Sequence, residues 1–98
     1  MKKLINKNLT KFQWKVLKVT VNIPLGETRT YKWVAQKVGS PKAVRAVGQA
    51  LRRNPYPMII PCHRVIKQDG SLGGYAGGSS ERKAELLAIE KEIKTNFN

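Results

Sequence analysis

The dipeptide Gly39-Ser40 separates two short helical segments and leaves this chain few ways to fold. Thr30 can N-cap the first segment, in which apolar residues recur at helical spacing as far as Val38. Gly39 can then adopt the left-handed conformation that ends many helices. Ser40 can cap the second segment, and Pro41, which follows it, suits the first position of a helix. Two helices this short and this close together predict a helix-turn-helix.

The second segment runs to about Arg53, where Asn54-Pro55 ends it, and it has two different faces. The inward face is apolar and carries Val44, Val47 and Leu51. The outward face is basic and long-armed and carries Lys42, Arg45, Gln49 and Arg52. The positions between the two faces are small and comprise Ala43, Ala46, Gly48 and Ala50. A glycine inside a helix costs up to about 1 kcal/mol relative to alanine, so this one suggests that another surface approaches closely. The basic face is therefore either ordinary solvated surface or a contact with DNA.

Two further helices complete the expected architecture. One is capped by Thr10 and ends near Val21, and the last runs from Ser80 or Glu81 to about Lys94. Residues 65–80 form a segment rich in glycine and turns. No repeat divides the chain, so residues 1–98 are predicted to form one domain. The expected fold class is mainly α, a small helix-turn-helix, winged-helix-like domain with a Gly-rich loop and little strand.

The charge of the chain, formally +13, is uneven along its length. From Glu81 onward the charges cancel, whereas the fifteen basic residues before Glu81 are opposed only by Glu27 and Asp69. Such an excess is either a solubilising surface or the footprint of a polyanionic partner. With a helix-turn-helix it favours nucleic acid. A membrane partner is not supported, because there is no strongly amphipathic cationic helix and no apolar run long enough to span a bilayer.

Cys62 and His63 are the only cysteine and the only histidine of the chain, and they are adjacent. One cysteine excludes an internal disulfide framework and leaves too few soft ligands for a structural zinc site. A free thiol and a first ten residues without the apolar core of a signal peptide predict a reducing, intracellular compartment. A thiol becomes a nucleophile by losing its proton to a nearby base. The pair is therefore either the centre of cysteine chemistry or a small buried hydrophobic residue beside an unrelated histidine.

Glu90 interrupts the apolar stripe of the last helix. Leu86, Leu87 and Ile93 mark the side expected to be buried, and Glu90 falls on the same side. A carboxylate in that place is costly unless another group satisfies it. His63 is one candidate, because a carboxylate would orient the imidazole and stabilise its charged form. A salt bridge to a lysine or arginine at the edge of the stripe is the other, and the sequence leaves both open.

Five motifs together resemble the C-terminal domain of the O6-alkylguanine-DNA alkyltransferases (methylated-DNA–protein-cysteine methyltransferases), from about Phe12 to Glu90. The motifs are Thr30-Tyr31, Arg45-Ala46-Val47-Gly48 with Asn54-Pro55, Pro61-Cys62-His63-Arg64-Val65, Gly74-Tyr75-Ala76-Gly77-Gly78 and Leu86-Leu87-Ala88-Ile89-Glu90. The resemblance implies DNA repair by direct reversal. Cys62 would irreversibly accept an alkyl group from O6-alkylguanine flipped out of the duplex, once per molecule and without a metal or organic cofactor. His63 would act as its base through a water, and Glu90 would hold His63.

The resemblance also implies how DNA is bound. Arg45 would enter the duplex where the guanine leaves, Tyr31 would rotate the 3′ phosphate of the target and donate a proton to the base, and Asn54 would shape the turn before the cysteine. The helix-turn-helix would lie in the minor groove of double-stranded DNA, and the protein would be a monomer in the cytoplasm, or in the nucleus where there is one. The implied DNA-binding residues are Tyr31, Lys42, Arg45, Ala46, Gly48, Gln49 and Arg52. The implied substrate pocket comprises Pro57, Tyr75, Ala76 and Gly77.

Departures from the family pattern keep other functions in view. Family members commonly carry a further N-terminal domain, whereas this chain starts almost at the catalytic one. Ala76 stands where a hydroxyl is common, and Gln49 and Arg53 replace smaller residues. The related alkyltransferase-like proteins have lost the cysteine and flag lesions without repairing them, so Cys62 favours a transferase over such a sensor. An ordinary helix-turn-helix regulator would need a dimerisation surface and major-groove readout, and the sequence gives evidence of neither.

Overall fold

Four α-helices and a two-stranded parallel sheet make up the part of the protein that the structure, a computed structural model, describes, which is residues 9–97. The elements are α1 (Lys11–Thr20), β1 (Arg29–Thr30), α2 (Tyr31–Lys37), α3 (Val44–Arg52), a 3₁₀ turn (Cys62–Arg64), β2 (Val65–Ile66) and α4 (Ser80–Phe97). The expected mainly α fold with little strand is confirmed. The first eight residues of the basic N-terminal segment, predicted not to be a signal peptide, lie outside the described residues. None of the helices within 9–97 is long and apolar enough to cross a bilayer.

The start of α1 is set by its cap. The Thr10 hydroxyl accepts a hydrogen bond from the Gln13 backbone N–H, and the Gln13 side chain accepts one from the Thr10 N–H. This reciprocal pair satisfies two amides at the helix start. Val16 and Leu17 are buried, and α1 packs against both helices of the helix-turn-helix.

α2 also begins as predicted. The Thr30 hydroxyl accepts a hydrogen bond from the Trp33 N–H at 2.9 Å, and Val34 and Ala35 are fully buried. Gly39 follows the helix with a φ of +83°, the left-handed conformation expected of a glycine at this position.

The turn between α2 and α3 is longer than predicted. Ser40 does not cap α3 and Pro41 is not its first residue, because α3 begins at Val44. The Ser40 carbonyl instead accepts a hydrogen bond from the Ala43 N–H at 2.9 Å. Serine at the first position of a β-turn and proline at the second are both favoured. The same two residues therefore satisfy a turn, and the helix starts after it.

α3 presents the two predicted faces with one exception. Val47 and Leu51 are buried, whereas Arg45 and Gln49 are exposed. Val44 was expected to face inward and is instead 39% exposed. It now stands in the first turn of a helix that begins later than predicted, and its side chain lines the cavity described below.

α4 extends beyond its predicted end, to Phe97, and its buried stripe differs in part from the predicted one. Lys83, Leu86 and Glu90, at i, i+3 and i+7, are its buried residues, whereas Ile93, predicted to be buried, is 38% exposed. α4 packs against the 3₁₀ turn. Glu90 is buried there because it pairs with His63 of the 3₁₀ turn, and Lys83 is buried because it binds a carbonyl of the preceding loop. The sequence pattern would place apolar residues at both positions.

The short sheet joins the start of α2 to the chain that follows the cysteine. Arg29 lies opposite Val65 and Thr30 opposite Ile66. This pairing fixes the chain that follows the 3₁₀ turn, and both Cys62 and Val65 belong to the buried core. The buried core consists of Val16, Leu17, Ile23, Val34, Ala35, Val47, Ala50, Leu51, Cys62 and Val65.

Candidate active site

Cys62 is held at the start of the 3₁₀ turn, where the residue is 4% exposed. Asn54 fixes the loop that leads to it. The Asn54 amide donates to the Ile60 carbonyl at 2.9 Å, and its oxygen accepts from the Tyr56 N–H at 2.9 Å. A buried amide that bridges two backbone groups of one loop restricts that loop to a single shape. Asn54 therefore occupies the place from which it could shape the approach to the cysteine.

His63 is almost fully buried and is paired through one ring nitrogen only. Its Nε2 lies 2.7 Å from Oε2 of Glu90, so one of the two partners considered for Glu90 is present. The other nitrogen, Nδ1, is also buried, and no protein atom among the described residues hydrogen-bonds to it. Buried polar atoms are nearly always paired, with water where protein offers nothing.

Arg64 supplies the second partner that the sequence allowed for Glu90. Its Nε donates to Oε1 of Glu90 at 2.8 Å and its Nη2 donates to Oε2 at 2.9 Å. Burial raises the pKa of Glu90, but hydrogen bonds from Arg64 and then from His63 outweigh it and lower the pKa below 4.5. Sequence reasoning did not single out Arg64. The available signal was its position next to the histidine, since a carboxylate has room for more donors than one imidazole provides.

A cavity of about 550 Å³ opens beside Cys62. It is lined by Tyr31, Lys32, Val44, Arg45, Gly48, Gln49, Leu51, Arg52, Cys62, Lys67, Gln68, Gly73, Gly74 and Ala76. Four of these residues are basic and none is acidic. The cavity therefore suits a ligand with negative charge at its mouth and a large uncharged part inside.

The residues assigned to DNA and substrate from the sequence fall into three groups. Those that line the cavity are Tyr31, Arg45, Gly48, Gln49, Arg52 and Ala76. Lys42 and Ala46 do not line it but are exposed, Lys42 in the turn before α3 and Ala46 on α3 itself.

Pro57, Tyr75 and Gly77 do not line this cavity, and pack on one another instead. A Cβ added at Gly77 would lie 2.6 Å from the Tyr75 hydroxyl oxygen and 3.0 Å from Cβ of Pro57. The Tyr75 ring meets the His63 ring edge to face, with centroids 6.1 Å apart. Burial, and then the charge of Cys62, raise the pKa of Tyr75. Tyr75 thus lies beside the histidine, and Pro57 and Gly77 lie close to Tyr75.

Among the described residues, nothing close to Gly48 requires a glycine there on steric grounds. A Cβ at this position would come no closer to the described residues than 3.9 Å, to a ring carbon of Tyr31. That is an ordinary van der Waals distance. Contacts with the described residues therefore do not explain a glycine at this position.

Lys83 is a second residue of this region that sequence reasoning missed. Its ammonium group is fully buried and donates to the backbone carbonyls of Leu72 and Gly74, the latter at 3.0 Å. It also lies 3.5 Å from the Tyr31 hydroxyl. Burial lowers the pKa of Lys83 from 10.5 to about 8, although the charge of Cys62 opposes the shift. Its position on the same helical stripe as Glu90 was the signal that could have found it.

Gly73 stands between the two carbonyls that Lys83 holds, and it touches Tyr31. Its φ is +74°, and a Cβ there would lie 2.6 Å from the Tyr31 hydroxyl oxygen. Lys83 therefore holds a wall of the cavity against the tyrosine. Burial, and then the charge of Cys62, raise the pKa of Tyr31, whereas Arg52 lowers it.

A metal site is not found in this part of the molecule. Among the described residues, no group of three or more histidine, cysteine, aspartate and glutamate side chains is placed to hold a metal ion.

Comparison with known proteins gives one consistent result. The family described as "6-O-methylguanine DNA methyltransferase, DNA binding domain" matches residues 11–92. The constitutive methylated-DNA–protein-cysteine methyltransferase of Bacillus subtilis (strain 168) is 56% identical over 82 residues, which are 84% of this chain and 50% of that protein. The chain thus spans about half the length of this curated relative.

Two solved structures are similar over most of the chain. Mycobacterium tuberculosis OGT in complex with DNA superposes with a TM-score of 0.82 at 49% identity, and the match covers 86% of this chain and 52% of that one. S. pombe Atl1 in complex with damaged DNA containing O6-carboxymethylguanine superposes with a TM-score of 0.73 at 33% identity, and the match covers 84% of this chain and 77% of that one.

Proposed function

Because this chain belongs to the family of the 6-O-methylguanine DNA methyltransferase DNA-binding domain, we propose that it repairs DNA by moving an alkyl group from O6-alkylguanine to Cys62. It corresponds to the C-terminal, catalytic domain of the longer relatives, with a winged-helix-like arrangement around a Gly-rich loop. The observation that carries the proposal is the placement of Cys62. It faces a cationic cavity on one side and adjoins the buried pair of His63 and Glu90 on the other.

DNA is bound through α3 and its surroundings, in the minor groove. The lining of the cavity includes four basic residues and no acidic one, as phosphate contacts require. A Cβ at Gly48 would meet only ordinary van der Waals contact with the described residues, so a glycine there fits close approach of α3 to the groove. Lys42 and Arg52 neutralise phosphates.

The alkylated base leaves the helix before it reacts. O6 lies on the edge of a stacked base, out of reach of a cysteine that is 4% exposed. Extrusion costs a few kcal/mol. Arg45, which lines the cavity from α3, fills the gap in the duplex and offsets this cost. The cavity, at about 550 Å³, has room for the base.

The transfer is one displacement. His63 accepts the Cys62 proton at Nδ1 through a water. In support of this step, Nδ1 is buried and no atom of the described residues hydrogen-bonds to it. The sulfur then forms a bond to the alkyl carbon, and the bond from that carbon to O6 breaks. Its electron pair stays on the guanine, which is protonated as it leaves, with Tyr31 as the donor. The thioether is stable, so each molecule reacts once.

A lesion sensor is the second candidate. S. pombe Atl1, whose structure was solved with damaged DNA containing O6-carboxymethylguanine, superposes on 84% of this chain with a TM-score of 0.73. A sensor would use the same cavity and the same Arg45 but would leave the alkyl group on the base. Cys62 with its His63–Glu90 pair has no use in a sensor, and this favours the transferase.

Reaction stoichiometry tests the proposal. The protein is mixed with an excess of duplex containing one O6-methylguanine, and restored guanine is counted over time. We expect one guanine restored per protein molecule and none with Cys62→Ala, which should still bind the duplex. Tight binding of the lesion by the wild-type protein without any restored guanine would establish the sensor instead. Continued turnover would refute a stable thioether.

A further inference from the structure

We propose that Arg64 is a positioning residue that sets the tautomer of His63, by holding Glu90 against the imidazole as an acceptor only. The effect of Arg64 on methyl transfer rests on the proposed function, whereas its effect on the His63 tautomer does not. It concerns a residue outside the set that was assigned to the site from the sequence.

The Arg64 guanidinium ties three parts of the fold together. Two of its N–H groups bind the two oxygens of Glu90 on α4, at 2.8 and 2.9 Å. A third, on Nη1, donates to the Ile23 carbonyl at 2.8 Å, in the segment that follows α1. Arg64 itself belongs to the 3₁₀ turn that starts with Cys62. A planar guanidinium bonded on three sides cannot turn without breaking at least one of these bonds.

This arrangement determines what Glu90 can do to His63. Oε2 of Glu90 accepts from Nη2 of Arg64 and lies 2.7 Å from Nε2 of His63. A guanidinium has only donors, so the carboxylate that faces it is ionised and has no proton to give. The hydrogen of the His63–Glu90 bond must then belong to Nε2. In the neutral imidazole, Nδ1 is left with its lone pair.

The lone pair on Nδ1 is what a base for Cys62 needs. Nδ1 is buried and has no hydrogen-bond partner among the described protein atoms. Without Arg64, the 12% exposed Glu90 side chain would lose two of its three donors and could rotate or take up a proton. A protonated Glu90 could donate to Nε2, and the ring would then carry its hydrogen on Nδ1, where it cannot accept one from the thiol.

His63 makes the test unambiguous, because it is the only histidine of the chain. In ¹⁵N-labelled protein, the two ring nitrogens of the neutral imidazole report directly which one is protonated. We expect wild-type protein to show one tautomer, with hydrogen on Nε2. Arg64→Met should give a mixture or the opposite tautomer, and Arg64→Lys, which keeps a cation without the bidentate geometry, should lie between the two.

Arg29 provides the matched control. It also pairs with a glutamate, Glu27 at 2.8 Å, and also donates to a backbone carbonyl, that of Thr28 at 2.9 Å, and neither of these side-chain contacts involves His63 or Glu90. Arg29→Met should leave the His63 tautomer as in the wild type. A change with both variants would mean that the tautomer follows general loosening of the fold.

Two reaction rates connect the tautomer to function. Alkylation of Cys62, the only cysteine, by iodoacetamide needs no DNA, whereas methyl transfer from O6-methylguanine duplex does. General-base catalysis contributes about 10²–10⁴-fold, so Arg64→Met should slow both reactions by about tenfold or more, with partial rescue in Arg64→Lys. If methyl transfer were absent in wild-type protein, the proposed function would fail while the tautomer result stood. A single Nε2-protonated tautomer in Arg64→Met, or hydrogen on Nδ1 in the wild type, would overturn the role of Arg64.

Discussion

Replacing Glu90 by glutamine keeps the shape of the side chain and removes the charge on which two neighbours depend. Three donors converge on the carboxylate: Nε2 of His63 at 2.7 Å, and Nε and Nη2 of Arg64 at 2.8 and 2.9 Å. A glutamine has one oxygen and one NH₂ group in place of two oxygens. Whichever way the amide is turned, its NH₂ group meets at least one of these donors.

The size of the effect follows from these contacts. A hydrogen bond to a charged group contributes about 1.5–3 kcal/mol, and removing one partner of a buried ion pair costs about 3–5 kcal/mol. The side chains of Arg64 and Glu90 are 14% and 12% exposed, so water screens the pair only slightly. We expect Glu90→Gln to lower the free energy of unfolding by about 2–4 kcal/mol. For a domain of this size that corresponds to a fall in Tm of roughly 10–30 °C.

Thermal unfolding of Glu90→Gln beside Glu85→Gln measures this. Glu85 is on the same helix, is 65% exposed and pairs with Arg82 at 3.5 Å, so its loss should cost at most about 1 kcal/mol. In the same proteins, methyl transfer at a temperature where both are folded should be slowed only in Glu90→Gln. Equal losses of stability in the two variants would refute the view that Glu90 joins the histidine and the arginine in one buried cluster.

Three further experiments, with five substitutions, test other parts of the protein. In denaturant unfolding, Gly73→Ala should lower the free energy of unfolding by about 2–4 kcal/mol, because its φ is +74° and its Cβ would lie 2.6 Å from a tyrosine hydroxyl. Gly39→Ala has a φ of +83° but meets nothing within 4 Å, so it should lower that free energy by only about 1–2 kcal/mol. Lys83 has its pKa lowered from 10.5 to about 8 in the folded protein, so the unfolded chain holds the proton more tightly between those values. The stability of wild type relative to Lys83→Met should therefore rise from pH 8 to pH 10.5, by up to about 3 kcal/mol, and a flat difference would contradict the burial of the ammonium. Arg45→Ala should slow single-turnover repair at saturating protein more on duplex DNA than on single strands. Lys42→Ala should mainly weaken DNA binding and lower the salt slope of that binding by about 0.9. Equal slowing of both substrates by Arg45→Ala would mean that Arg45 is a phosphate contact.

Local signals in the sequence were sufficient for the helix starts that depend on one cap. Thr10 and Thr30 each bind an amide three residues ahead, and nothing distant competes for them. The predicted start of α3 was wrong because Ser40-Pro41 suits both a helix start and a turn. Which of the two forms depends on how α3 packs against α1 and α2. A short sequence window does not contain that information.

The candidate site was predictable as far as its rare residues allowed. The adjacent Cys62-His63 and the misplaced Glu90 pointed to one place, and the contact between His63 and Glu90 is present. Arg64 and Lys83 were missed because the chain has 19 basic residues, and sequence alone does not show which of them are buried. Their roles depend on partners that come together only in the folded protein, namely a carboxylate 26 residues away and two loop carbonyls.

The mass of the intact protein after incubation with O6-methylguanine duplex tests the central claim most directly. A methyl group that replaces the thiol hydrogen adds one CH₂ unit. The account predicts that the whole population gains one such unit, that digestion locates it on Cys62, and that Cys62→Ser gains nothing. A protein that binds the methylated duplex and keeps its original mass, or that carries the methyl group on any other residue, would contradict it.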